Sequence, residues 1–144
     1  MICINMHLAN LPKPFLFLTA AYFLASLGHF THNAEFLCEY PNLPEWLTRA
    51  KVYLAWIAIT SVGVIGFLFV RNGYVRIGLA LIAIYAVLGF DGLGHYAVAP
   101  FAWHSFGANF TIVSEVIAAG ALLLGTTYAM VLQSRRRLVA RGSQ

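Results

Sequence analysis

The chain has 144 residues, of which 60% are hydrophobic and only 10% charged, against about 25% charged in an ordinary soluble domain. So few polar residues cannot coat a water-soluble globule, and lipid is the expected solvent for most of the chain. The formal net charge of +4 gathers at Arg135, Arg136, Arg137 and Arg141. That is a topology signal, not the spread basic footprint of a nucleic-acid binder, so no nucleic-acid partner is expected.

The first expected element is a membrane helix over about 15–37. Pro12 and Pro14 suit its start, and no basic n-region or small-residue cleavage site marks it as a signal peptide. It ends in His29, His32 and Glu35, spaced i, i+3 and i+6 on one broad side of a helix. Pro41 and Pro44 stop it. Cys3 precedes this helix and Cys38 follows it. A disulfide between them would have to cross the bilayer, so two free thiols are expected.

A second span is expected over about 46–70, anchored by Trp46 at the interface. Thr60 and Ser61 are its deep polar residues, and hydroxyls of this kind bond their own backbone. The turn Arg71-Asn-Gly-Tyr-Val-Arg76 leads to a third span over about 75–97, which carries Asp91 and His95 at i, i+4 on one face. Pro100 marks the next connection. A fourth span over about 104–133 places His104, Thr111 and Glu115 seven and four residues apart on one face, followed by a basic tail over 134–144. The expected fold is all-α: a single-domain, integral membrane, four-helix up-down bundle.

Lys13, Arg71, Arg76 and the tail arginines fall on one side of such a bundle, and only Arg49 and Lys51 on the other. The positive-inside rule then puts both termini in the cytoplasm, with a bacterial inner membrane as the expected location. His29, His32, Glu35, Asp91, His95 and Glu115 come out roughly 21–30 Å from the cytoplasmic ends of their helices, one layer in the outer part of the hydrocarbon core. Asn33 and Asn109 add amides there. Carboxylates at that depth turn inward and pair, so the first, third and fourth spans are expected to face one another through this layer.

Imidazole and carboxylate at these spacings suit a transition metal (Zn, Fe or Cu), with His29, His32, Glu35, Asp91, His95 and Glu115 as candidate ligands. No HExxH or CxxC motif specifies one. Haem held between His29 or His32 and His95 is a further reading. Without a metal, Glu115 or Asp91 serves as proton donor to a lipophilic small molecule, with His32 as base. Chains of Asp, Glu and His also carry protons through membranes. The plain alternative is a polar latch that only orders the bundle, as in a non-catalytic subunit or homo-oligomer. Phe30, Phe36, Tyr40, Tyr96, Phe101 and Phe106 are expected in an interfacial belt, and His7 in the tail. In size, span number and His/Glu/Asp layer the chain resembles the sterol-isomerase-like, emopamil-binding proteins. That likeness implies acid–base chemistry on a lipophilic molecule but carries over no site residue, because His29–Glu35 matches no motif of theirs.

Overall fold

The computed structural model describes residues 13–142, with side chains through Arg135; Cys3 and His7 lie outside the described residues. Four segments are long and apolar enough to cross a membrane: Lys13–Glu35, Arg49–Arg71, Val75–Val98 and Phe106–Arg135. Short connections join them, and the chain is the expected all-α, four-span up-down bundle. Side chains such as Phe17, Leu24, Ile57 and Leu124 point out of it. Such a surface is costly in water and natural in lipid.

Helix α1 spans Lys13–Glu35, with Pro14 in its first turn, where a missing N–H costs nothing. A single 3-10 turn, Leu37–Glu39, follows, and Pro41 and Pro44 then deny the backbone further donors. Asn42 takes φ 59°, a left-handed conformation that Asn tolerates, and its amide donates to the Val98 carbonyl at 2.9 Å. That bond ties the first loop to the end of the third span. Helix α2 spans Arg49–Arg71, with Thr48 accepting from the Lys51 N–H as N-cap. It starts after Trp46, whose ring lies under the Lys51 ammonium at 5.1 Å.

Asn72 and Gly73 turn the chain; Gly73 holds φ 86°, a region that favours glycine. Helix α3 spans Val75–Leu88. It crosses α2 with almost no gap: a Cβ on Gly78 would lie 2.6 Å from both the Gly66 carbonyl and the Val70 nitrogen. Small residues that let backbones touch are how membrane helices associate.

The third span is not one helix, as expected, but is broken near its middle. At Gly89 and Phe90 the backbone bonds shift from i−4 to i−3, onto Ala86 and Val87. The Tyr85 carbonyl, thereby released, accepts from the Tyr22 hydroxyl at 3.1 Å. In hydrocarbon a freed carbonyl needs such a partner, and Tyr22 fills the space a side chain on Gly89 would need. A 3-10 turn, Asp91–Leu93, and a short helix α4, Gly94–Val98, finish the span. After a 3-10 turn at Phe101–Trp103, helix α5 spans Phe106–Gly142, continuing past the end expected near residue 133.

The core has two parts. Phe15, Tyr22, Leu79, Ile82, Tyr85 and Leu122 belong to a cluster low in the bundle. Tyr40, Ala108 and Ile112 form a smaller one toward the loops that join α1 to α2 and α4 to α5. The polar layer is bounded by these two.

Candidate functional site

His29 and Glu115 meet inside the bundle. His29 projects from the next-to-last turn of α1 and Glu115 from the third turn of α5, with His29 Nε2 at 3.7 Å from Glu115 Oε2 and both side chains at least 97% covered. Gly92 lies against them: a Cβ there would stand in ordinary contact, 3.4 Å from Glu115 Oε2 and 3.8 Å from His29 Nε2. The break in the third span is what brings this glycine against the pair.

The Thr111 hydroxyl stands at the other ring nitrogen of His29. The Thr111 hydroxyl faces the carbonyls of Gly107 and Ala108 at 3.1 and 3.0 Å, so its hydrogen is committed to the backbone. Its lone pair is left to accept from His29 Nδ1 at 3.5 Å, a long contact. In the neutral tautomer that donates from Nδ1, Nε2 presents a lone pair to Glu115. Among the described residues His29 is the sole basic group paired with Glu115. Among the described residues neither Glu115 oxygen has a hydrogen-bond partner of normal geometry, and the Ser26 hydroxyl, equally unpaired, is the polar side chain next to the carboxyl.

From His29 a run of aromatic and imidazole rings leads toward the loops. His29 meets His95 edge-on at 5.5 Å between ring centres. His95 accepts from the Asn33 amide at 3.1 Å and packs on Tyr40 at 4.7 Å. The Tyr40 hydroxyl is hydrogen-bonded to His32 Nδ1 at 2.9 Å, and His32 Nε2 faces Glu39 Oε2 at 3.8 Å. Glu39 accepts from the Ser105 hydroxyl, which also caps α5 by accepting from the Ala108 N–H at 3.1 Å. Exposure rises along this path, from 1% at the Glu115 side chain to 19% at His32 and 35% at Glu39. Burial pushes the Tyr40 hydroxyl up to about 12, so it stays protonated at neutral pH.

His104 joins this group. It is buried and touches Tyr40, His95 and Tyr96. Its Nδ1 donates to the Pro100 carbonyl at 3.1 Å, and Nε2 has no partner among the described residues.

Two expected members stand elsewhere. Glu35 is drawn away from the histidines to Arg49 at 2.6 Å and Tyr53 at 2.7 Å. Equal depth placed it in the layer, but its position on α1 turns it toward α2. Asp91 is exposed, because the helix break rotates it off the face that an unbroken i, i+4 pairing with His95 would have given it. The expected base, His32, faces Tyr40 and Glu39, and His29 is the imidazole at Glu115. Tyr40 and Tyr96 leave the expected interfacial belt: Tyr40 is 2% exposed, and Tyr96 donates to Asn109 at 2.9 Å. Phe36, Phe101 and Phe106 are exposed as a belt requires. Cys38 is exposed in the turn after α1.

Among the described residues no group of three or more His, Cys, Asp or Glu side chains is disposed to hold a metal ion. With Glu35 and Asp91 turned away, the transition-metal reading draws no support from this arrangement. The edge-on contact of His29 with His95 lends none to haem.

Gly92, Glu39 and Ser105 are site residues that sequence reasoning did not find, and Tyr40 was expected in the belt instead. The signal for Gly92 was the density of glycines at 89, 92 and 94, which marks a weak helix. For Tyr40 the sequence holds no comparable signal. No protein-family model, no curated protein and no solved structure matches this chain.

Proposed function

We propose that the protein is a membrane-embedded proton-transfer centre, with Glu115 as the buried proton-holding group and His29 as its exchange partner. One observation carries this reading: a fully buried carboxyl, with no hydrogen-bond partner of normal geometry among the described residues, faces an imidazole nitrogen at 3.7 Å. One proton satisfies the pair, either on Glu115 or on His29 Nε2, and moving it between them requires only a shortening of about 1 Å or one bridging water. His95, Tyr40, His32 and Glu39 continue the path to the loop end of the bundle. Chains of Asp, Glu and His inside membranes characteristically serve proton movement.

The charge pattern supports a single domain with both termini cytoplasmic, so that the path opens on the opposite side. The test is an infrared pH titration of the protein in lipid nanodiscs. The expected result is a protonated-carboxyl stretch that titrates in the native protein, is missing from Glu115→Gln and is displaced in His29→Gln. A titration unchanged in Glu115→Gln would refute the assignment. A band that ignores His29→Gln would reduce the layer to a packing latch.

A further inference from the structure

The charges of this chain are divided between its two ends. All five acids, Glu35, Glu39, Glu45, Asp91 and Glu115, lie toward the end where α1 finishes and α5 starts. The opposite end, where α1 and α3 start and α2 finishes, carries Lys13, Arg71, Arg76 and Arg135, with Arg136, Arg137 and Arg141 following in α5. No Asp or Glu lies among them. The two cations of the acidic end have partners there: Arg49 bonds Glu35 at 2.6 Å, and the Lys51 ammonium donates to the Trp46 carbonyl at 2.9 Å. Lys13, Arg71, Arg76 and Arg135 are exposed and enter no ion pair among the described residues. The positive-inside rule accounts for cations collecting at one end, but it does not neutralise them.

Their placement selects the partner. They stand on four different helices: the first residue of α1, the last of α2, the second of α3 and the last of the fourth span. A single protein face cannot reach all four around the bundle, whereas lipid headgroups surround it. The level also fits. Tyr74, between Arg71 and Arg76, is 60% exposed, and Tyr128 is 66% exposed. Tyr128 lies one turn beyond Gly125, which packs on Leu18 of α1, so both tyrosines are near the cations. Exposed tyrosines at span ends mark the membrane interface. Helix α5 has 37 residues, roughly 55 Å, against a hydrocarbon core of about 30 Å, so its arginine-bearing end stands among or beyond the headgroups.

We propose that this basic end binds anionic phospholipids and gathers a collar of them around the bundle. A guanidinium fork pairs with two phosphate oxygens. A zwitterionic lipid offers the same phosphate beside an ammonium group that opposes the arginine, so net charge sets the preference. The collar lies at the far end from the path through His32 and Glu39, and its test does not involve Glu115.

The protein is reconstituted in phosphatidylcholine liposomes with a trace of spin-labelled phosphatidylglycerol or spin-labelled phosphatidylcholine. Electron paramagnetic resonance reads the fraction of each label immobilised at the protein. The expected result is a preference for phosphatidylglycerol of about threefold at low salt, falling toward none in about 1 M salt. Arg49→Gln with Lys51→Gln is expected to keep it. Combining Arg71→Gln, Arg76→Gln, Arg135→Gln, Arg136→Gln and Arg137→Gln, with folding checked by circular dichroism, is expected to abolish it. If that combination does not fold, Arg71→Gln with Arg76→Gln is expected to remove part of the preference. No preference in the native protein, or the same preference in these arginine variants, overturns the proposal. So does an equal loss in Arg49→Gln with Lys51→Gln, which would make total charge the cause. Abolition by inorganic phosphate at constant ionic strength also overturns it, by assigning the arginines to a free anion.

Discussion

The Tyr40 hydroxyl lies 2.9 Å from His32 Nδ1, so the loop leaving α1 folds back and bonds the helix it has just left. Burial raises the Tyr40 hydroxyl from 10.0 to about 12. Between those values the folded chain holds a proton that the unfolded chain has lost, so stability falls as pH rises through this window. The native protein is expected to exceed Tyr40→Phe by about 1 kcal/mol below pH 10. That margin is expected to shrink and reverse toward pH 12, by about 3 kcal/mol at most. Denaturant unfolding in detergent at a series of pH values measures it, and a margin independent of pH up to 12 would contradict the burial assigned to Tyr40.

Two glycines separate crowding from tolerance around the site. A Cβ on Gly107 would lie 2.6 Å from His32 Nε2, so Gly107→Ala is expected to turn the His32 ring and break its bond to Tyr40. A Cβ on Gly92 meets only ordinary contacts, from 3.4 Å outward. Gly92→Ala should therefore fold within about 1 kcal/mol of the native protein, while perturbing the Glu115 carboxyl band. Nitrogen NMR of the histidine rings reads the first change and infrared spectroscopy the second.

Glu35 and Arg49 form a partly exposed pair at 2.6 Å, with Arg49 65% and Glu35 31% accessible. Solvent screening limits such a pair to about 1 kcal/mol or less. Glu35→Gln and Arg49→Ala are expected to unfold at nearly the native denaturant concentration and to leave the Glu115 titration unchanged. A Glu115 band that moves in Glu35→Gln would return Glu35 to the polar layer.

The α2–α3 crossing gives a test of the packing itself. Gly78→Ala forces a methyl against the backbone of Gly66 and Val70 and is expected to cost about 1–3 kcal/mol. Gly28 lies in α1 with nothing within 4 Å of its added Cβ, so Gly28→Ala is expected to stabilise by about 0.5–1 kcal/mol. Thermal unfolding of the two variants in one detergent should place them on opposite sides of the native protein.

Much of this architecture is legible in the sequence, because span length, apolar content and punctuation by Pro41, Pro44, Gly73 and Pro100 all act locally. That the first and fourth spans meet through His and carboxylate is legible as well, since a buried carboxylate at that depth must find a partner, although the expected base was His32 and the imidazole at Glu115 is His29. Depth along a helix does not fix rotation about its axis, which is why Glu35 was expected beside His32 and stands against Arg49. Asp91 fails for another reason. The break at Gly89 depends on Tyr22 of a different helix taking up the freed Tyr85 carbonyl, a tertiary event that the glycines at 89, 92 and 94 permit but do not specify. Tyr40 enters the core because Asn42 fastens its loop to Val98, which is equally non-local.

Deuterium exchange at the Glu115 carboxyl, followed by infrared spectroscopy after transfer of the nanodisc-embedded protein to heavy water, tests the proton path most directly. Exchange is expected to be rapid in the native protein and to slow by about a hundredfold in His29→Leu, with Glu115→Gln identifying the band. Equal exchange rates in the native protein and His29→Leu would show that protons reach Glu115 without His29, and would contradict the account.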